Sequence, residues 1–184
     1  MAKTSSNMLP LGTEAPNFRL YDTVSGKTLE LNNLKSPIAT VIFFICNHCP
    51  FVHHIHESIV AIAKQYQEKG ISFIAISAND VEQYPEDSPQ KMTEIAQQFS
   101  YSFPYLWDET QAVAKAYEAA CTPDFYIFDA ALKCVYRGQW DDSRPNSQIP
   151  VTGQDIKEAL NQLLEGQPVS TLQKPSIGCN IKWK

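Results

Sequence analysis

Ile38-Ala-Thr-Val-Ile-Phe-Phe-Ile45 runs without interruption into Cys46-Asn-His-Cys49-Pro50-Phe-Val52. A β-branched and aromatic run with no polar alternation reads as a strand buried on both faces. Pro50 suits the first turn of a helix, where its missing N–H has no partner to lose. Beyond it Val52, Ile55, Ile59, Ile62 and Tyr66 recur at alternating three- and four-residue steps. That spacing draws an apolar stripe along one side of a helix, which Gly70 then stops. Two cysteines therefore fall where a buried strand ends and a helix begins.

A helix start presents unpaired N–H groups and partial positive charge, and both favour a thiolate over a thiol. Two sulfurs three positions apart can close a small disulfide ring there and exchange with other disulfides. Cys46, at the more exposed end, is expected to attack; Cys49, one turn inside, is expected to resolve.

Outward from this junction, Ile71-Ser-Phe-Ile-Ala-Ile-Ser77 reads as a second buried strand. Ser88-Pro89 opens a helix with Met92, Ile95, Ala96 and Phe99 inward. Phe103 to Trp107 is extended, and Asp108 caps a short helix carrying Val113 and Tyr117. Phe125 to Phe128 and Cys134 to Arg137 read as a hairpin. Thr152 caps a last helix with Ile156, Leu160, Leu163 and Leu164 on one face, ended by Gly166. Toward the start, Phe18 to Asp22 and Lys27 to Leu31 form a small hairpin around Ser25-Gly26. The order predicts an α/β fold: a three-layer α/β/α sandwich on a mixed central sheet, with an N-terminal β-hairpin extension and a C-terminal tail. Residues 1–10 are expected to be flexible, residues 11–166 to form the domain, and residues 167–184 to be the tail. Ile177-Gly-Cys-Asn-Ile-Lys-Trp183 is apolar enough to dock on the body.

The chain has 184 residues, 43% hydrophobic and 19% charged, with a formal net charge of −5. Without clustered Lys and Arg, no nucleic-acid partner is expected. The start lacks the apolar core of a signal peptide, and no apolar run is long enough to span a bilayer. The expected compartment is the cytoplasm, with no membrane association. Five cysteines, an odd number in a chain with no export signal, do not read as a structural disulfide framework. No Gly-rich phosphate loop is present, so no organic cofactor is expected.

Three further stretches carry a family resemblance. Gly12-Thr-Glu-Ala-Pro-Asn-Phe18 resembles the opening of the peroxiredoxin and thiol-peroxidase branch of the thioredoxin superfamily. Cys121-Thr-Pro-Asp-Phe-Tyr-Ile-Phe-Asp129 is similar to the superfamily's cis-proline loop and following strand. Together with Cys46 to Val52, Arg137 to Pro145 and Ser176 to Lys184, these resemble a peroxiredoxin-like (AhpC/TSA-type) group that carries a thioredoxin-type Cys-x-x-Cys. The resemblance runs from about Leu11 to Leu164. It implies a thioredoxin-like fold, a cis-proline at Pro123 facing the dithiol, and Thr122 offering backbone hydrogen bonds to a bound thiol substrate. It also implies a cellular dithiol reductant or a disulfide substrate as partner, and leaves the oligomeric state open.

The departures rank the activities. Cys49-Pro50 stands where peroxiredoxins carry their peroxide-attacking Cys-Pro. Their Thr three residues earlier is Cys46 here, their Pro seven earlier is Ile42, and their activating Arg falls on Pro123. Without that hydroxyl and guanidinium, little remains to polarise a peroxide. Dithiol exchange by Cys46 and Cys49 therefore ranks above a peroxidase in which Cys49 attacks peroxide and Cys46, Cys121 or Cys179 resolves.

His48, between the cysteines as in the periplasmic disulfide-oxidant branch, is expected to stabilise a Cys46 thiolate and make the disulfide more oxidising. A third function class is a metal- or partner-binding module without catalysis. At about 100° per residue, Cys49, His53 and His56 share a helical stripe, so Cys46, Cys49, His53 and His56 form a conceivable zinc set. The competing reading leaves His53 and His54 in solvent and His56 at the core border. Cys121 and Cys179 are possible resolving thiols, while Cys134 reads as packing. Asp80 to Ser88 reads as a solvated acidic connector, and Trp140 to Arg144 as a hydrogen-bonded surface loop.

Overall fold

In a computed structural model that describes residues 3–184, the chain runs β1 (Lys3–Ser5), β2 (Arg19–Asp22), β3 (Thr28–Glu30), α1 (Leu31–Leu34), β4 (Ala39–Phe44), α2 (Pro50–Gln67), β5 (Ser72–Ser77) and a 3₁₀ turn (Pro85–Asp87). It continues through α3 (Pro89–Gln98), β6 (Tyr105–Trp107), α4 (Ala112–Ala116), β7 (Cys121–Thr122), β8 (Asp124–Asp129), β9 (Cys134–Gly138), α5 (Gln154–Leu164) and β10 (Ile177–Asn180). Seven strands form the main sheet in the order β3-β2-β6-β5-β4-β8-β9. Strand β4 lies parallel to β5 and antiparallel to β8, so the sheet is mixed, as expected.

Every residue of β4 is buried, and its alternation divides the core. Ala39, Val41, Phe43 and Ile45 face one side with Val52, Ile55, Ile59 and Ile62 of α2, Met92 of α3 and Ile156 and Leu160 of α5. Ile42 and Phe44 face the other, with Leu31 of α1, Ala114 of α4 and the Leu9 and Phe18 side chains. The predicted stripe of α2 is thus the face that packs on the sheet. Each of its isoleucines contributes about 1.5–3 kcal/mol of burial before conformational entropy is set against it. The fold is the thioredoxin-like three-layer sandwich, and the β2–β3 hairpin continues the main sheet through the pairing of β2 with β6.

The start of the chain, expected to be flexible, carries a strand, and the tail docks on the body as its apolar residues suggested. Lys3–Ser5 pairs antiparallel with Ile177–Asn180, which pairs antiparallel with Cys121–Thr122, forming a second sheet of three strands. Residues 1 and 2 of the segment expected to be flexible lie outside the described residues. Side chains and backbone tie the tail down. Ser176 Oγ donates to the Pro123 carbonyl at 2.6 Å, the Lys182 N–H donates to Asn79 Oδ1 at 2.9 Å, and Gln111 Nε2 donates to the Lys182 carbonyl at 2.8 Å. These bonds satisfy buried polar groups that would otherwise oppose docking of so short a strand.

The connector expected to be solvated is also folded in. Asp80 and Asp87 are buried. Asp87 closes over the start of α2, where donors from three residues meet its carboxylate. Among the described residues, no helix is long and apolar enough to cross a membrane.

Candidate active site at the start of helix α2

Strand β4 delivers the chain to Cys46, and Cys49 is the N-cap residue of α2 with Pro50 in the first turn. Both cysteines are buried, Cys46 being 2% and Cys49 0% exposed. The Thr122-Pro123 peptide bond is cis, in the place the resemblance assigned. Thr122 sits beside the two sulfurs: its Oγ1 lies 3.3 Å from Cys46 Sγ, and its carbonyl oxygen lies 3.1 Å from Cys49 Sγ. The substrate-side backbone role expected of Thr122 meets an occupant, because Cys179 of β10 is its antiparallel partner. Cys179 Sγ lies 2.9 Å from Cys49 Sγ. A third cysteine therefore belongs to the centre.

Gly178 makes this approach possible. A Cβ there would stand 2.0 Å from the Thr122 carbonyl oxygen, closer than any side chain tolerates.

Charge in the centre is divided unequally. The Cys46 thiol donates to the Cys49 sulfur, an effect that outweighs burial; the Cys179 thiol and the backbone N–H groups of Val52 and Cys179 add to it. Together they hold Cys49 at about 5. The same contact with Cys49, then burial and the charge of Asp87, keeps Cys46 well above the ordinary thiol range. The thiolate thus belongs to the inner cysteine, whereas the sequence pointed to the outer one. The physical reason is the donor set, since Cys49 occupies the N-cap and lies within reach of β10. Cys179 itself is pushed up to about 12, chiefly by burial.

His48 is bonded to Asp87 rather than to a thiol. Its Nδ1 is 2.7 Å from Asp87 Oδ2, and its ring stacks on Tyr84 at 5.3 Å. The Asp87 carboxylate holds the imidazole above its ordinary value, while His48 Nε2 is buried with no partner among the described residues. Asp87 also accepts from the Asn47 N–H at 2.7 Å and from Asn79 Nδ2 at 2.8 Å. Lys182 is buried nearby, with its ammonium 5.5 Å from the Tyr84 ring centre. Sequence reasoning missed Asp87, Asn79 and Lys182, because nothing in their local sequence signals burial beside a distant cysteine pair.

Among the described residues, one group of three His, Cys or acidic side chains has its ligand atoms within 4.8 Å of one another: Cys46, His48 and Asp87. The conceivable zinc set of Cys46, Cys49, His53 and His56 is not assembled. His53 Nε2 donates to the Asn47 carbonyl on the exposed side of α2. His56 is buried against Phe99, accepts from the Tyr101 hydroxyl at 2.5 Å, and is pushed down to about 4 by burial. His54 Nε2 lies 3.0 Å from Ser143 Oγ.

Cys121 and Thr122 project to opposite faces of β7. Cys121 Sγ consequently turns to the Pro123 carbonyl at 3.7 Å, and burial raises its thiol. Cys134 is packed in the opposite core and pushed up to about 12 by burial. Beside Cys46 opens a groove of about 470 Å³, lined by Asn47, His53, His56, Phe99 and Tyr101 among others. Asp141 is buried in the loop expected to be hydrogen-bonded. Its Oδ2 accepts the N–H groups of Thr152 and Gly153, each at 2.7 Å, at the start of α5.

Known proteins resemble this chain to different depths. An uncharacterized conserved protein from Geobacillus kaustophilus is 62% identical, with a TM-score of 0.99 over 100% of this chain and 97% of that one. A hypothetical protein from Sinorhizobium meliloti 1021 is 44% identical, with a TM-score of 0.96 over 98% of each chain. The peroxidoxin BcpB from Mycobacterium tuberculosis shares the fold at 19% identity, with a TM-score of 0.62 over 85% of this chain and 96% of that one. No curated protein matches the chain. The AhpC/TSA family profile matches residues 11–137, most of the body that carries the thiols, and the chain belongs to the AhpC/TSA family.

Proposed function

We propose that this protein is a thiol–disulfide oxidoreductase whose working couple is Cys46–Cys49. The observation that carries the reading is that both sulfurs lie against Thr122, beside the cis Pro123: its Oγ1 is 3.3 Å from Cys46 Sγ and its carbonyl oxygen 3.1 Å from Cys49 Sγ, with Cys46 lining the open groove. A partner disulfide, on a protein or a small thiol, approaches through the groove. Cys46 attacks one of its sulfurs and passes its proton to the Cys49 thiolate, and the first partner thiolate leaves. Cys49 then returns that proton to the departed thiolate and attacks Cys46, forming the Cys46–Cys49 disulfide and releasing the second thiolate. One partner disulfide becomes a thiol and a thiolate, the latter taking its proton from solvent, while the enzyme's thiol–thiolate pair becomes a disulfide. A cellular dithiol reductant restores it, and a reducing cytoplasm is the compartment we assign to this cycle.

Peroxide reduction by Cys49 is the second reading, favoured by its acidity and its place before Pro50. The arginines argue against it. Arg137 is bound to the Leu9 carbonyl and Gln173, Arg144 to the Asp141 carbonyl and Gln139, and Arg19 to Glu30, so each guanidinium is engaged elsewhere. Turnover of a protein disulfide such as insulin, measured beside peroxide consumption, separates the two. Disulfide reduction is expected to fall by at least a hundredfold, on the order of the loss of a nucleophile, in both Cys46→Ser and Cys49→Ser. Rapid peroxide consumption that survives Cys46→Ser and disappears with Cys49→Ser reverses the ranking.

A further inference from the structure

Strand β10 brings Cys179 against Cys49, and neither of these two cysteines lines the groove that Cys46 borders. Its pairing with β7 sets Cys179 directly across from Thr122, and the sulfurs of Cys179 and Cys49 stand 2.9 Å apart. The strand is held on both sides, by β1 and by β7, and beyond its end by Asn79 and Gln111. Gly178 permits a backbone approach that any side chain would prevent. A cysteine carried by an anchored strand keeps this distance without ordering a loop, so little entropy opposes bond formation.

We propose that Cys179 is a third redox-active thiol, which exchanges with the Cys46–Cys49 disulfide to form a Cys49–Cys179 disulfide and return Cys46 to the groove as a thiol. This rests on the proposed function, since it needs the first disulfide as its substrate. The Cys179 sulfur attacks Cys49, the Cys49–Cys179 bond forms and the Cys46–Cys49 bond breaks. The proton lost by Cys179 goes to the Cys46 sulfur, with the Thr122 hydroxyl 3.3 Å away to donate to that sulfur as it leaves. One disulfide is consumed and one is made, so no outside oxidant or reductant enters this step. The chain thereby stores a disulfide behind the site while a thiol faces the partner, and the stored bond fastens the C-terminal strand to the body.

The test is oxidation by oxidised glutathione, followed by thiol counting and disulfide mapping. In Cys46→Ser, which keeps four of the five cysteines, glutathione attached at Cys49 is displaced by Cys179. Titratable thiols should fall from four to two, with Cys49 linked to Cys179. A product that stays glutathionylated at Cys49 overturns the proposal. Gly178→Ala keeps all five thiols but lifts the strand, and should lose the Cys49–Cys179 linkage at least several-fold while retaining Cys46–Cys49. An undiminished linkage there also counts against it. If Cys46→Ser does not fold, the wild-type protein decides, because both linkages should appear during oxidation and exclusive Cys46–Cys49 refutes the exchange. Cys179→Ser isolates the underlying reading: failure to form Cys46–Cys49 in that variant sinks the proposed function, whereas its formation beside an inert Cys179 sinks only the exchange.

Discussion

Replacing Cys179 by Ala should make the Cys49 thiol markedly less acidic. The Cys179 thiol is one of the donors that stabilise the Cys49 charge, after that of Cys46. A hydrogen bond to a charged group contributes about 1.5–3 kcal/mol, and one pKa unit corresponds to about 1.4 kcal/mol, so losing it raises the midpoint by about one to two units. From a starting value of about 5, the ionised fraction at about pH 6 should drop from about nine-tenths to about a quarter. The assay is ultraviolet thiolate absorbance against pH in the reduced protein. Cys49 dominates the signal below about pH 9, because Cys134 and Cys179 are pushed up to about 12 and Cys46 and Cys121 are raised as well. Cys179→Ser keeps an O–H donor on β10 and should recover most of the acidity. A Cys179→Ala titration that overlays the wild type, or a Ser variant no better than Ala, would refute this assignment of the charge.

Three further outcomes follow from the same contacts. His48→Gln removes the imidazole paired with Asp87, whose charge raises Cys46; the potential of the couple should fall by about 30 mV for each pKa unit of thiol acidity lost, and an unchanged glutathione equilibrium removes His48 from the mechanism. Because Cys49 ionises near 5 when folded and at the ordinary thiol value of 9.0 when unfolded, its contribution to stability is complete above that ordinary value and lost as pH falls through about 5. His48 works in the opposite sense: its raised value contributes stability below 6.5 that disappears as pH climbs through the higher folded value. Urea unfolding across this range should show a flatter rise with pH in Cys49→Ser than in the wild type, and equal slopes contradict the assignment. Asp87→Asn strands donors from Asn47, His48 and Asn79 around a neutral amide, and should cost about 3 kcal/mol in chemical denaturation; a loss below about 1 kcal/mol would mean the carboxylate is dispensable.

The parts of the molecule that were legible in the sequence are those with a local pattern. The uninterrupted run before Cys46 and the stripe from Val52 to Tyr66 fix a strand and a helix by periodicity, and the cysteines fall between them. Pro123 was legible through its resemblance to a known loop. The terminal strands were not, since Lys3–Ser5 and Ile177–Asn180 are too short to show a period and find their partners far along the chain. Asp87 was equally silent: in Pro85-Glu-Asp87 nothing distinguishes a solvated carboxylate from one buried by donors in other segments. The division of charge between Cys46 and Cys49 depends on which sulfur the Val52 and Cys179 N–H groups approach, and that is a property of packing.

The most direct trial of the couple is an equilibrium titration of Cys179→Ser in graded mixtures of reduced and oxidised glutathione, with mapping of the thiols that remain. Reversible, joint loss of Cys46 and Cys49 as a linked pair is the predicted result. Cys46 remaining open to alkylation at every ratio, while Cys49 carries glutathione alone, would contradict it.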